Sequence, residues 1–493
     1  MSRTDVGLRR IVRLATIGAV ALAPWCIVSA QGIRIRATTV LQGVELRPLV
    51  EDSVPASQTS GSGSYRTTAS GIVVRCVGEE LWCRFRRSDA PGSALPLTQD
   101  IRAAIWGAGE GLSFHAHLRA RSSLGANSLP WPRSRDRFDA IEAFLQLQRT
   151  GSRLRLGRVW LASGLGSYNI DGAALWLRHG TLQVEGFAGA SLVAGVNEPH
   201  TGATFGELDD LPPDRRGYTF GVRATSRWKT TRVGGAYQRV IRADRSGLYS
   251  ERAALDASLL LGRTTLTADL AYDLIAGQAN EAVLTARRSF GSRLAAYGML
   301  RYYRPYFETW TIWGAFSPVG FEEWRAAASW NDNRRGYALE LRGGRRRYGA
   351  TEAGLEYLPL RNDGWRLGVS AKMTRGTLAL SGEYDADIGF GASSSDAMVA
   401  ALWNPSDRWH LGLTGSSLQK IYEFRLGTSR VLGIGLDWGL ALSDETWLRL
   451  DAGVYRHRLP REAAGSDWSQ RRATLRLEWS VGRDPGQTGA RGS

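Results

Sequence analysis

The chain has 493 residues, of which 58 are glycine and 18 tryptophan, and a formal charge of +16. The charge is carried almost wholly by arginine, since lysine occurs only at Lys229, Lys372 and Lys420. A basic balance can serve nucleic acid, but no nucleic-acid motif accompanies it and the arginine bias reads as compositional, so nucleic acid is not an expected partner; glycine and tryptophan at these levels also exceed an ordinary globular domain.

At the N-terminus, Arg9, Arg10 and Arg13 flank an apolar core from Ile11 to Ala23, and Val28-Ser29-Ala30 follows as a small-residue cleavage site. This pattern predicts a signal peptide over 1–30, with Gln31 as the mature start. Its removal takes away four arginines and one aspartate and leaves a charge of +13. Residues 31–96 read as a small N-terminal β unit, placed in the periplasm or at the mouth of the main domain. GIRIRATTVLQGVELRPLV (32–50) offers one or two strands, and EDSVPASQTSGSGS (51–64) has the composition of a flexible linker. Cys76 and Cys83 then flank a turn at Gly78-Glu79-Glu80. Two extended arms joined there bring the sulfurs opposite each other, and export to an oxidising compartment predicts a disulfide.

No stretch after residue 30 reaches the ~18 apolar residues of a membrane helix. The recurring signal from 97 to 482 is alternation of period two. In ATLRLEWSV (473–481), Ala473, Leu475, Leu477, Trp479 and Val481 share one face, while Thr474, Arg476, Glu478 and Ser480 share the other. WLRLDAGVYRHR (447–458), TTLTADLAYDL (264–274), YALELRG (337–343) and WRLGVSAKM (365–373) repeat it. About 22 such segments of about ten residues occur, separated by turn clusters such as Asn404-Pro405-Ser406-Asp407. Polar faces of glycine, hydroxyls and charges of both signs suit a wet lumen better than a sandwich core. The apolar faces begin or end in rings, as two aromatic girdles around an apolar band require. The expected girdle is Tyr302, Tyr303, Trp310, Trp313, Trp365, Trp403, Trp409, Trp438 and Trp479. RYYRPYFETWTIWGAFSP (301–318) is then expected where the sheet meets a membrane surface, with the lumen as the alternative place for some of its rings.

The fold predicted is therefore all-β: an antiparallel transmembrane β-barrel of about 22 strands (range about 16–24) over 97–482, followed by a disordered tail over 483–493. Its lumen is expected to carry Arg223, Glu340, Arg342, Arg366, Glu383, Arg425, Asp437, Arg449, Asp451, Arg476 and Glu478. Opposite charges on neighbouring strands also pair and stabilise such a wall, so these residues have a structural reading beside the functional one. Catalytic and cofactor motifs are sparse. Ser417-Leu418-Gln419-Lys420 matches Ser-x-x-Lys without the partner motifs of penicillin-recognising enzymes. Gly107, Gly109 and Gly111 form a glycine cluster before a strand, not a phosphate loop. His115 and His117 alternate in LSFHAHLR (112–119) and point the same way, but two ligands are not a metal site. No cofactor, metal or catalytic constellation is expected.

Signal peptide, glycine- and aromatic-rich chain and serial amphipathic strands together resemble a Gram-negative outer-membrane β-barrel of the porin-like kind. LRLGRVWLASGLGSYNIDGAALWLR (154–178) also resembles a segment of alginate-export-type barrels, through Gly157-Arg158 and Asp171-Gly172. The resemblance implies residence in the cell outer membrane and contact with its lipids, lipopolysaccharide and the barrel-assembly machinery. It also implies a passive pore for hydrophilic solutes. The slight excess of arginine over acid in the expected lumen set predicts a weak anion preference. Arg345-Arg346-Arg347 is the cluster that could sharpen it, or a turn facing solvent or lipopolysaccharide. The alternatives are a non-conducting structural or binding barrel, and an outer-membrane enzyme.

Overall fold

The computed structural model describes residues 32–482 apart from 47–48, 62, 64, 70–72, 77–80, 89, 108, 125–137, 164, 192–216, 243–247, 305–319, 349–362, 390–391, 424–428 and 459–466. The expected signal peptide, the C-terminal tail, Trp310, Trp313 and Arg425 lie outside the described residues. In chain order the strands are β1 (Gly32–Leu46), β2 (Leu49–Pro55), β3 (Thr59–Ser60), β4 (Tyr65–Thr68), β5 (Val73–Arg75), β6 (Trp82–Ser88), β7 (Gly92–Ala94), β8 (Pro96–Trp106), β9 (Leu112–Ser123), β10 (Phe138–Arg149), β11 (Ser152–Ser163), β12 (Gly166–His179), β13 (Leu182–Ser191) and β14 (Gly217–Arg227). They continue with β15 (Thr231–Arg242), β16 (Leu248–Leu261), β17 (Thr264–Asp273), β18 (Gln278–Phe290), β19 (Leu294–Tyr303), β20 (Phe321–Asp332), β21 (Tyr337–Tyr348), β22 (Asp363–Arg375), β23 (Leu378–Ile388), β24 (Ala392–Ser406), β25 (Trp409–Glu423), β26 (Ser429–Ser443), β27 (Thr446–Arg458) and β28 (Trp468–Val481).

Strands β8 to β28 pair antiparallel in chain order, and β1 closes the ring between β28 and β8. The result is a closed barrel of 22 strands, so the sheet has no free edge. Assigning Gly32–Leu46 to a separate N-terminal unit was therefore too broad, because β1 is a wall strand. Its alternation ran on from the signal-peptide side and was visible, but its two partners lie far away in sequence: Ile35 pairs with Val481 and Ala37 with Ile101.

The connections at the end carrying Gly32 and Val481 are short, two to five residues, such as 150–151, 262–263 and 444–445. Those at the other end include 192–216, 304–320 and 349–362. Short turns on one rim and long loops on the other are the usual polarity of outer-membrane barrels. The chain leaves the wall at Leu46 and returns at Gly92, both at the loop end. Between them lies the five-stranded sheet, ordered β2-β6-β5-β4-β3. The small unit therefore attaches at the end opposite the termini, at one mouth of the barrel, which is one of the two placements the sequence leaves open. Its expected linker is also ordered in large part. Residues 51–60 form β2, a 3-10 turn over Ala56–Gln58 and β3. The reason is packing: Val54 and Ala56 lie against a core of Val74, Cys76 and Cys83. Cys76 and Cys83 are bonded, S–S 2.00 Å, one step beyond the Arg75–Arg84 pair of β5 and β6.

Alternation decides the two faces of the wall. Arg252 of β16 donates from Nη1 to the Leu165 carbonyl at 3.0 Å, reaching the β11–β12 connection across three intervening strands. Such a chord runs through the interior, so the face of β16 bearing Arg252 is the inner one. Carried around the ring by the strand registers, the outer face holds exposed leucines, valines and rings, among them Leu156, Phe220, Leu300, Leu341, Leu367, Leu413, Ile434 and Leu475. Trp403, Trp409, Trp438 and Trp479 sit on that face toward the turn end, and Tyr302 and Trp365 toward the loop end. Trp330 and Tyr337 join the first ring and Trp324 the second. Tyr303 does not belong to the girdle. Adjacent residues of a strand take opposite faces, so Tyr303 turns inward, where its ring lies 5.0 Å from Phe321.

Candidate functional site

The inner face is rich in polar and charged side chains, and the described residues of the expected lumen set lie on it with specific partners. Arg223 donates to Asp256 at 2.8 Å. Arg342 is a hub, bonded to Asp385 through Nε at 2.9 Å and also paired with Glu383 and Glu340. Arg366 meets Asp387 at 2.6 Å and Glu323 at 3.5 Å. Asp437 contacts His410 at 2.8 Å and stands opposite Asp451. Arg449 stands opposite Arg476, which reaches Glu478 at 3.6 Å.

Three inner-face groups lay outside the sequence-derived set. Glu323 is buried and takes Arg325 at 2.8 Å and Arg346 at 3.2 Å. Beside it, Tyr303, Phe321 and Tyr348 form one row across β19, β20 and β21, with Arg346 4.2 Å above the Phe321 ring. Asp100 accepts from Arg119 and contacts His117, both at 2.9 Å. His115 and His117 do share the inner face, but His115 stacks on Phe144 at 5.0 Å and bonds Ser113. The Arg345-Arg346-Arg347 run is divided by alternation: Arg346 points inward, and Arg345 and Arg347 point outward, beside Trp365 and opposite Asp363. Pairing across strands is invisible in one strand's sequence, which explains why these partners were missed.

The hairpin of β11 and β12 departs from the wall. β11 pairs with β10 only as far as Arg158, opposite Ala143; above that it pairs with β12 alone, to Ser163. Gly157, Gly172 and Gly189 stand in one register row across β11, β12 and β13. Gly157 has φ +127°, which side chains rarely adopt. A Cβ at Gly189 would lie 2.7 Å from the Asp171 carbonyl oxygen, and at Gly157 or Gly172 it would overlap the carbonyls of Ala143 or Ala188. This glycine row lets three backbones approach and lets the hairpin lean inward.

Two side chains then satisfy the backbone that β10 loses. Arg158 donates to the Ala140 carbonyl at 2.9 Å, and Asn169 to the Ile141 carbonyl at 3.0 Å. Arg158 also holds Asp171 bidentately, at 2.7 and 2.9 Å. Val159, Leu161 and Ile170 pack with Phe144 and Ala174 into an apolar cluster backed by Phe187. Arg252 fastens the tip at Leu165. The sequence signal for all this was Gly157-Arg158 and Asp171-Gly172, noticed as a resemblance but without its geometry. β11 runs past Gly157-Arg158 to Ser163.

A closed antiparallel barrel with an even strand number, an apolar band between aromatic girdles, short turns at the terminal end and long loops opposite is the architecture of the outer-membrane barrels. No known protein family matches the sequence, and no curated protein matches it. Among solved structures the chain is similar to OccAB1 of Acinetobacter baumannii, at 8% identity and TM-score 0.42, covering 92% of this chain and 97% of that one. It is also similar to OccK3 (OpdO) of Pseudomonas aeruginosa, at 9% identity and TM-score 0.39, covering 91% and 96%. A bacterial polysaccharide outer membrane secretin matches at 9% identity and TM-score 0.31, over 62% of this chain and 99% of that one.

Proposed function

We infer that the protein is a passive outer-membrane pore for hydrophilic solutes, with a weak preference for anions. The observation that carries this is the inner face: a closed ring whose wall is lined largely by polar and charged side chains, with one apolar cluster under the β11–β12 hairpin. With 22 strands spaced ~4.8 Å apart and tilted by ~40°, the backbone ring is about 44 Å across. One inward hairpin narrows such a lumen without filling it. The loop end, with the small disulfide-bonded sheet, faces the cell exterior.

The anion preference follows from an uneven wall. On β1 and β8 to β11 the described inner side chains include Arg34, Arg36, Arg102, Arg119, Arg121, Arg153 and Arg155 against Asp100 and Glu142. On β20 to β23, Glu323, Glu340, Glu383, Asp385 and Asp387 balance Arg325, Arg342, Arg346, Arg366 and Lys372. Screening at physiological salt limits each field to ~8 Å, so the basic wall biases passage near it and leaves the centre neutral. The proposal includes assembly by the barrel-assembly machinery and no catalytic role.

Reversal potentials in a salt gradient across a planar bilayer test this. The expected result is a modest anion selectivity that fades as salt rises; clear cation selectivity overturns it. A second reading, a non-conducting structural or binding barrel, is favoured by the dense pairing around Arg342 and Glu323. Correctly folded protein that carries no current would establish that reading instead.

A further inference from the structure

The outer face at the loop end is not uniform. In three sectors its arginines stand opposite acids: Arg158 opposite Asp171, Arg239 opposite Glu251, and Arg347 opposite both Glu322 and Asp363. On β26, β27 and β28 the pattern differs. Arg430 stands opposite Arg458, Arg456 lies between Leu432 and Ser469, and Arg471 stands opposite Val454. All four side chains are exposed. Among the described residues, Arg430 reaches only the Ser417 hydroxyl, at 3.4 Å. Two described acids lie beside them: Glu45, which accepts from the backbone N–H of Arg471 at 2.7 Å, and Asp467, one residue before the Trp468 that pairs with His457. Like charges directly opposite on a sheet destabilise it unless something neutralises them.

The depth of the cluster says where that neutraliser lies. Directly toward the turn end, the outer face of β26 carries Leu432, Ile434, Leu436, Trp438 and Leu440. That run spans about 27 Å of strand, or about 21 Å of membrane at a tilt of ~40°, close to the ~25 Å apolar band of such barrels. On β27, Val454 to Leu448 fill the same band, and on β28, Ala473 to Trp479. The four arginines therefore sit at its outer edge, at the level of lipid headgroups.

We propose that Arg430, Arg456, Arg458 and Arg471 form a docking surface for the phosphate groups of outer-leaflet lipids, with the acyl chains lying on the leucine and valine band below. The proposal rests on the outer-membrane reading above. Guanidinium forks match phosphate oxygens bidentately, and each cation near an anionic lipid surface strengthens binding severalfold. The acid-paired sectors offer no such free charge.

The test uses the full mature chain, folded in neutral detergent, and mixed micelles carrying bisphosphorylated or dephosphorylated lipid A, with binding followed on immobilised barrel. The expected result is preferential binding of the phosphorylated lipid, weakened by salt, and roughly 30-fold weaker in Arg430→Gln/Arg458→Gln. Arg430→Lys/Arg458→Lys should retain most of it, and Arg347→Gln, from an acid-paired sector, should change it by less than about twofold. Heat-modifiable gel migration confirms that each variant is folded; if the double variant is not, Arg456→Gln and Arg471→Gln singly carry the test. Equal binding of wild type and the glutamine variants, or of the two lipids, overturns the proposal. A barrel that binds phosphorylated lipid but carries no current would overturn the pore reading and leave this one standing.

Discussion

At the residue scale, the row Gly157, Gly172 and Gly189 controls more than any charged residue. These positions lack a side chain because a neighbouring carbonyl already occupies the space. Gly172→Val should force the hairpin away from β13 and destabilise the barrel by about 1–3 kcal/mol, as overpacking does. A lowered urea midpoint for loss of the compact gel form would report it. Gly298→Val is the control, since nothing lies within 4 Å of its Cβ position and the midpoint should hold. Gly157-Arg158 and Asp171-Gly172 were legible as a motif. Their purpose was not, because a glycine's reason lies in what approaches it from another strand.

At the element scale, two units each carry a fastener that can be removed alone. The β11–β12 hairpin is tied at its tip by Arg252 to the Leu165 carbonyl. Arg252→Ala should leave the apolar cluster in place and free the tip, which single-channel recording would show as increased open-channel noise. Unchanged noise would mean that the cluster alone holds the hairpin. The small sheet is tied by the Cys76–Cys83 bond, which closes a short loop. Its loss in Cys76→Ser/Cys83→Ser should cost that sheet roughly 2 kcal/mol or a little more and leave the barrel's gel migration unchanged. Mass spectrometry of the non-reduced mature chain should show the two-hydrogen deficit; two free thiols would contradict it. The disulfide was readable from spacing and export alone, because both partners belong to one hairpin. The order of residues 51–60 was not, since a polar, serine-rich segment becomes a strand only when β6 pairs with it.

For the whole molecule, closure is the decisive property. β1 pairs with β28 over ten positions and with β8 over ten more, so it is the strand that turns a sheet into a ring. Deleting 32–46 should leave two open edges and abolish heat-modifiable migration, whereas the intact mature chain should resist SDS until boiled. An intact chain that fractionates as a soluble periplasmic protein would contradict the barrel reading entirely.

Strand type, strand number and the two-faced wall were determined by the sequence itself, because period-two alternation is a local property that each strand carries without its neighbours. The residues 97–482 show it plainly. Parity could not decide which face Tyr303 takes beside Tyr302, which end holds the small sheet, or whether β1 belongs to the wall. The inward hairpin, the buried Glu323 cluster and the arginine cluster of β26 to β28 were decided only by tertiary structure. Each depends on cross-strand register, and register is set by closure of the whole ring.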